Sequence, residues 1–320
     1  MNDTRYDNTI VTIGDIHDLW GIFMLIASAR KAGMDEPFLV GVKDFTPRAE
    51  RVLTQLGNVT TVSLDGVKRS LTCLKPHVML MAQTEYVTWA DSDAFFTGNV
   101  SQLLPPDSPE EIHFRLRSPA EMPAAFRGRE PGKGASMIPD DIAEIWKRDI
   151  AEIAGSAAPD PRYATTGSGC FCALSLQRHR RFIEIWDELQ TKVLPDRNVG
   201  VVDTSLKFYH QLDESTLNAC LNFVTDAPRV QEVFKMDKDR KRLFVHFIAR
   251  PKPWQGWTRR AFRFFDEYVA VANWALAQNW VMPGQLPECL KMENKRRMKL
   301  LIPWMTLKPK MKNLLRKFGC

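Results

Sequence analysis

In the first ninety residues β-branched runs alternate with helix-length segments, and that alternation confines the chain to an α/β architecture. Thr9-Ile10-Val11-Thr12-Ile13 is a strand pattern stopped by Gly14, and Leu19 to Ala32 is an apolar helix pattern with Asp18 as its cap and Gly33 as its end. The same rhythm predicts strands at 38–42, 59–64 and 86–90 and helices at 47–56 and 75–83. Strands separated by helices require crossover connections, so the expectation is a doubly wound, mostly parallel sheet flanked by helices. Ligands of such sheets bind at the carboxyl ends of the strands.

Beyond Asp93 the rhythm changes. Residues 117–140 are rich in Pro, Gly and Ala and carry Arg127, Arg129 and Lys133, the composition of a long surface loop of the lid or binding type. A strand pattern spans Gly169 to Leu176 and a helix Gln177 to Gln190; an irregular stretch follows to Leu212 and a short helix starts at Glu214. Phe244-Val245-His246-Phe247 is a further strand, and Trp257 to Trp280 a long amphipathic helix. No internal repeat or low-complexity segment interrupts this order.

Charge separates the chain into two parts. The net charge is +6 over 320 residues, but residues 291–320 hold ten Lys/Arg and one acid, a net of +9. The remaining 290 residues carry 34 basic and 37 acidic side chains, a net of −3, which excludes a general affinity for nucleic acid. In the tail, Met311, Leu314, Leu315 and Phe318 fall on one helical face opposite Lys310, Lys312, Arg316 and Lys317, the pattern of an interfacial helix on an anionic membrane surface. The expected organisation is a domain over 1–290, with halves 1–115 and 116–290, followed by the basic amphipathic tail 291–320. No secretory signal is visible at the N-terminus, the apolar runs are too short or too broken to span a bilayer, and the six cysteines form no CxxC pair. These features place the protein in the cytoplasm, peripheral on the inner face of the plasma membrane, with reduced thiols.

Three motifs carry chemistry. Asp91-Ser92-Asp93 directly follows a buried strand, and two carboxylates two residues apart at a strand end repel unless a cation lies between them. Hard oxygen ligands suit Mg²⁺ or Mn²⁺; the alternative is a solvated turn with two caps, which the apolar flanks Trp89, Phe95 and Phe96 oppose. His246 stands in a strand pattern ahead of Lys252-Pro253-Trp254 and offers an imidazole for a metal and an ammonium for a diphosphate, or is a core histidine. Asp213-Glu214 opens a helix pattern, where Asp213 is also a plausible N-cap.

In combination and order, the DxD after the fourth strand, the D-E-x-x-L-N segment at 213–218 and the late H-x₅-K-P-W resemble the retaining glycosyltransferases of family 8, which include bacterial lipopolysaccharide galactosyltransferases and glycogenin. The similarity spans about residues 8–256 in motif order. It implies a GT-A fold, a UDP-sugar donor, Mn²⁺ (or Mg²⁺) and transfer with retention of configuration. By position, Asp91 and Asp93 match the metal-binding DxD, with Ser92 counted among the donor-binding residues, and His246 matches the third metal ligand. Lys252 matches the lysine that contacts the donor diphosphate. Gly14-Asp15 lies where the family holds the uridine, and Lys75 near a basic residue that reaches the donor. Gly167, in Thr166-Gly167-Ser168-Gly169, lies at the sugar pocket. Asp213 matches the acid that binds the donor sugar's hydroxyls. Glu214 stands where the family commonly has glutamine, beneath the anomeric carbon. As a carboxylate it can serve a covalent intermediate, assist front-side displacement electrostatically, or act as a general base in an inverting reaction.

The implied activity is transfer of a hexose to an envelope glycan or glycolipid such as lipopolysaccharide core or capsule precursor. Two other classes remain compatible with parts of the sequence. A haloacid-dehalogenase-like phosphatase also uses DxD after a strand, and a catalytically silent membrane-bound module would retain the tail with a degenerate site.

Overall fold

The computed structural model describes residues 7–196, 202–233, 243–248 and 250–304. Strands β1 (Asn8–Asp15), β2 (Phe38–Lys43), β3 (Val59–Ser63) and β4 (Tyr86–Ala90) alternate with helices α1 (Leu19–Lys31), α2 (Pro47–Thr54) and α3 (Lys75–Met79). These four strands are parallel, with β1 paired to both β2 and β4. Thr46 caps α2 by accepting the Ala49 N–H, with Pro47 at the first helical position.

Then come β5 (Ala94–Phe96), β6 (Glu111–Leu116), α4 (Met122–Ala125), α5 (Asp140–Ala154), β7 (Gly167–Ser175), α6 (Leu176–Val193), α7 (Asp213–Phe223), β8 (Arg229–Glu232), β9 (Phe244–His246) and α8 (Phe265–Ala277). The main sheet has seven strands in the order β3-β2-β1-β4-β7-β6-β8. Only β7 runs against its neighbours, pairing antiparallel with β4 and β6, so the sheet is mostly parallel as expected. A separate two-stranded ribbon, β5 with β9, sets His246 opposite Ala94.

Alternation along the strands divides the core in two. Ile10, Val40, Ala90, Phe171 and Ala173 face α1, α2, α8 and the ribbon, whereas Val11, Leu39, Trp89, Cys172 and Leu174 face α3, α5, α6 and α7. α1 is buried along most of its length because it is covered by the sheet on one side and by β5 and α8 on the other. Strand order reverses between β1 and β4: β2 and β3 lie on one side of β1, and β4 on the other. This is the switch point at which such sheets bind ligands, beyond the carboxyl ends of β1 and β4, where Asp15 and Asp91 stand.

Several expectations shift. Asp18 makes no side-chain capping bond to α1; Asp15 instead accepts the His17 N–H in the turn before it. The predicted helix 75–83 ends at Met79, and the predicted helix 257–280 is regular only over α8. The expected loop 117–140 contains α4 and buries Met122, Ala125, Phe126 and Ile138. Residues 295–304 are helical and pack Met298 and Ile302 into the α1/α8 core, leaving Leu300 80% and Trp304 63% exposed. The amphipathic face at Met311, Leu314, Leu315 and Phe318 lies outside the described residues. Among those residues no helix is long and apolar enough to cross a membrane, and five cysteines are free.

Candidate active site

Asp91 and Asp93 belong to the turn joining β4 to β5, and the pairing of β5 with β9 brings His246 beside them. His246 Nε2 lies 3.0 Å from Asp93 Oδ1 and 3.4 Å from Asp91 Oδ2. One ligand atom from each of the three residues falls within 4.8 Å of the others. Two hard carboxylate oxygens and an imidazole nitrogen converging at that spacing fit Mn²⁺ or Mg²⁺. Lys252 ion-pairs with Asp93 Oδ2 and also donates to the Phe247 carbonyl. Burial raises the Asp93 carboxyl, but His246 and Lys252 outweigh it and hold the group well below the usual carboxylate range. For His246, burial pulls downward while Asp93 and Cys170 more than compensate, holding the imidazole well above the usual histidine range.

Gly21 explains how the DxD turn sits so close to α1. A Cβ there would come within 2.5 Å of the Ser92 carbonyl and 2.6 Å of the Trp254 ring, so only glycine lets Ser92 and Trp254 press on the helix. Gly14 has a similar role at the end of β1, where a Cβ would lie 2.8 Å from Asp18 Cβ and from Ile22. Asp18 thus sits over the Gly14-Asp15 turn, and burial together with Asp15 pushes its carboxyl up to about 6. Asp93 adds to that rise and Arg250 opposes it, which ties the turn after β1 to the DxD.

The second acid pair opens α7. Its approach is strained: buried Leu212 takes φ 49° and ψ −117° immediately before Asp213. Lys75 Nζ lies 2.7 Å from both Asp91 Oδ1 and Asp213 Oδ2 and donates to the Gly169 carbonyl at 2.9 Å. It also lies 4.9 Å from the Trp89 ring centroid, and the Trp89 indole N–H donates to Asp91 Oδ1 at 2.8 Å. Three acceptors match the three N–H bonds of Lys75, so it links the two acid pairs to Gly169. Burial lowers the Lys75 ammonium, but Asp213 and Asp91 hold it well above the usual lysine range. One ammonium shared by two carboxylates under-compensates Asp213, whose carboxyl burial pushes up to about 6, with Lys75 opposing and Asp91 adding.

Glu214 is held differently. Arg117 Nη2 pairs with Glu214 Oε1, and the Gly169 N–H donates to Oε2 at 3.1 Å. Arg117 Nη1 also donates to the Thr166 hydroxyl at 3.2 Å and the Gly167 carbonyl at 2.5 Å. Asn218, one turn beyond Glu214, accepts from the Gly167 N–H at 2.6 Å and donates to the Gly167 and Glu214 carbonyls. Gly167 is obligatory for this lacing, since a Cβ would overlap the Phe114 ring at 1.8 Å.

The sequence-derived residues Asp91, Ser92, Asp93, His246, Lys252, Lys75, Asp213, Glu214 and Gly167 therefore form one connected cluster, with Gly14 and Asp15 joined to it through Asp18. Arg117, Asn218, Asp18 and the Trp89 indole were not among the expected site residues. Asn218 carried a usable signal, its i+4 spacing from Glu214 on one helix face; Arg117 carried none, being 97 residues from its partner in sequence.

No protein-family model matches the chain, and no curated protein matches it by sequence. Solved structures do match in shape. The bifunctional glycosyltransferase WbbM superimposes with a TM-score of 0.57 at 13% identity over 87% of this chain and 52% of its own. The glycosyltransferase GlyE of Streptococcus pneumoniae gives 0.51 at 13% identity over 87% of this chain and 65% of its own. A galactosyltransferase, LgtC, in complex with donor and acceptor sugar analogues gives 0.52 at 12% identity over 83% of this chain and 95% of its own. The chain spans about half the length of WbbM and just under two thirds of GlyE. What these likenesses establish is architecture: the chain has the GT-A fold of glycosyltransferases.

Proposed function

We propose that the protein is a metal-dependent glycosyltransferase that moves a hexose from a UDP-sugar to an envelope glycan or glycolipid, with retention of configuration. The observation that carries this reading is the convergence of Asp91, Asp93 and His246 at the carboxyl end of β4 in a GT-A fold, with Lys252 against Asp93. Asp91, Asp93 and His246 would hold Mn²⁺ or Mg²⁺, and a bound divalent cation supplies Lewis-acid neutralisation of the departing diphosphate. Lys252 adds a fixed ammonium on the same side of the site, preorganised by the Phe247 carbonyl. Gly14, Asp15 and Ser92 stand at the switch point, where the nucleotide belongs. Asp213 offers an acceptor for sugar hydroxyls, and Gly167, laced to Arg117 and Asn218, holds the strand beside Glu214.

The test is incubation with a panel of nucleotide sugars and Mn²⁺, with and without EDTA, reading the released nucleotide. Nucleoside diphosphate that disappears with EDTA is the expected product. Inorganic phosphate instead would indicate a phosphatase, and no release a silent module.

Attachment to an anionic membrane surface through 291–320 belongs to the same proposal. It is supported by the basic, amphipathic sequence of the tail and by the outward Leu300 and Trp304 beside Arg296, Arg297 and Lys299. Removing residues 305–320 spares the packing of Met298 and Ile302 and should release the protein from anionic vesicles with UDP-sugar hydrolysis intact. Undiminished vesicle binding would contradict it.

A further inference from the structure

Arg117 is a half-buried cation that the donor, metal and acceptor assignments leave without a role. Its side chain is 12% exposed, and among the described residues its two terminal nitrogens bond to Glu214, the Thr166 hydroxyl and the Gly167 carbonyl. Its backbone N–H donates to the Thr166 carbonyl at 2.8 Å, so the residue is fixed at both ends. Glu214 is thereby gripped on both oxygens, by Arg117 on Oε1 and by the Gly169 N–H on Oε2. A guanidinium bound to one oxygen and a strand N–H to the other set the plane of the carboxylate. Asn218 holds the strand that supplies the N–H, and α7 supplies the backbone of Glu214.

We propose that Arg117 is the positioning residue for Glu214: it fixes the carboxylate beside Gly169 so that its charge faces the reacting carbon of the donor sugar. This rests on the glycosyltransferase reading and adds to it. A glutamine at 214 could satisfy only one of its two clamps, because its amide nitrogen cannot accept the Gly169 N–H while its oxygen accepts from Arg117. The clamp is thus built for a carboxylate. Catalysis by fixed charge is lost when the charge is present but free to turn, so Arg117 should govern turnover far more than donor affinity.

Steady-state kinetics with the full chain test this. Arg117→Met should lower kcat roughly 10²-fold with the donor KM within about threefold. Arg117→Lys should recover part of the loss, and guanidinium ion added to Arg117→Ala should restore turnover in a saturable way. The double variant Arg117→Met/Glu214→Gln should be no slower than the slower single variant, since both act on one interaction. Glu214→Gln alone keeps a neutral side chain of the same size and supplies the comparison should Arg117→Met fail to fold. Its kcat should fall comparably, and a kcat equal to wild type would overturn the proposal. Multiplicative losses in the double variant, or a loss confined to KM, would do the same. The wild-type arm separates the two levels: active wild type with an unaffected Arg117→Met overturns the positioning role alone, whereas wild type that turns over no nucleotide sugar overturns both.

Discussion

The two acid pairs of the site are built in opposite ways. Asp91 and Asp93 leave a strand end, converge with His246 within 4.8 Å, and are about one-fifth exposed. Asp213 and Glu214 open a helix, point to different partners, and are each bound by a cation, buried Lys75 or half-buried Arg117. The first pair concentrates negative charge in one place and is suited to an exchangeable cation. Lys75 and Lys252 oppose the first pair as well, but only there does an imidazole, His246, meet both carboxylates; the second pair, held by Lys75 and Arg117, is suited to holding shape and polarity. Neighbouring carboxylates are thus not one kind of feature; the element that carries them decides whether their lone pairs meet.

Lys75 touches both pairs, so its removal is the hardest blow to this contrast. Lys75→Met should cost about 3–5 kcal/mol of unfolding free energy, because Asp91, Asp213 and the Gly169 carbonyl all lose a buried partner. Urea denaturation measures it, and a change under 1 kcal/mol would mean that the pairs are independent. Next in size is Asp93→Asn, expected to lower sugar-nucleotide turnover by at least about 10²-fold and to abolish Mn²⁺ binding in calorimetry. Full activity of that variant in EDTA would remove the convergent pair from the chemistry. Mn²⁺ at a hundred times its Kd should then raise wild-type stability by about 2.7 kcal/mol and leave Asp93→Asn unmoved.

The smallest effect concerns Asp18, the acid beside the convergent pair. Its carboxyl is raised to about 6 from an ordinary 3.8, so the folded protein holds that proton more tightly than the unfolded chain does. Stability therefore falls as pH rises through 3.8 to 6, and the penalty is fully present above that window. Asp18→Asn should accordingly stabilise the metal-free protein by about 2 kcal/mol at pH 8, the full shift being reduced by solvent screening at this half-buried carboxyl, and by almost nothing at pH 3.5. Thermal melts at the two pH values read the difference, and an equal shift at both would show that charge is not the cause.

Much of the first hundred residues was legible because β1, β2 and β4 are buried on one or both faces and α1 and α2 are followed by Gly33 and Gly57. Beyond Asp93 the local signals weaken. β5 is three residues inside an apolar run, and β6 interleaves Glu111, His113 and Arg115 with its buried Ile112 and Phe114. His113 is buried in β6 because the Leu103 carbonyl and the Gln231 side chain meet both ring nitrogens, contacts 10 and 118 residues away that no window can see. α5 was readable: Ile142, Trp146 and Ile150 recur at helical spacing between Pro139 and Gly155. Within the site, Asp91, Asp93, His246 and Lys252 showed through residue type and spacing, whereas the contacts of Lys75 and Arg117 run to Gly169 and Gly167 of β7, 94 and 50 residues away.

The β5–β9 ribbon also sets a timetable. Asp91 and Asp93 leave the ribosome early, but β9 and His246 follow 153 residues after Asp93. At the usual pace of synthesis that interval is about ten to thirty seconds. Throughout it the nascent sheet carries two carboxylates with neither their imidazole nor Lys252. The centre is therefore completed late in translation, and a chain cut short before residue 246 can retain the first strands of the sheet without the means to hold a metal.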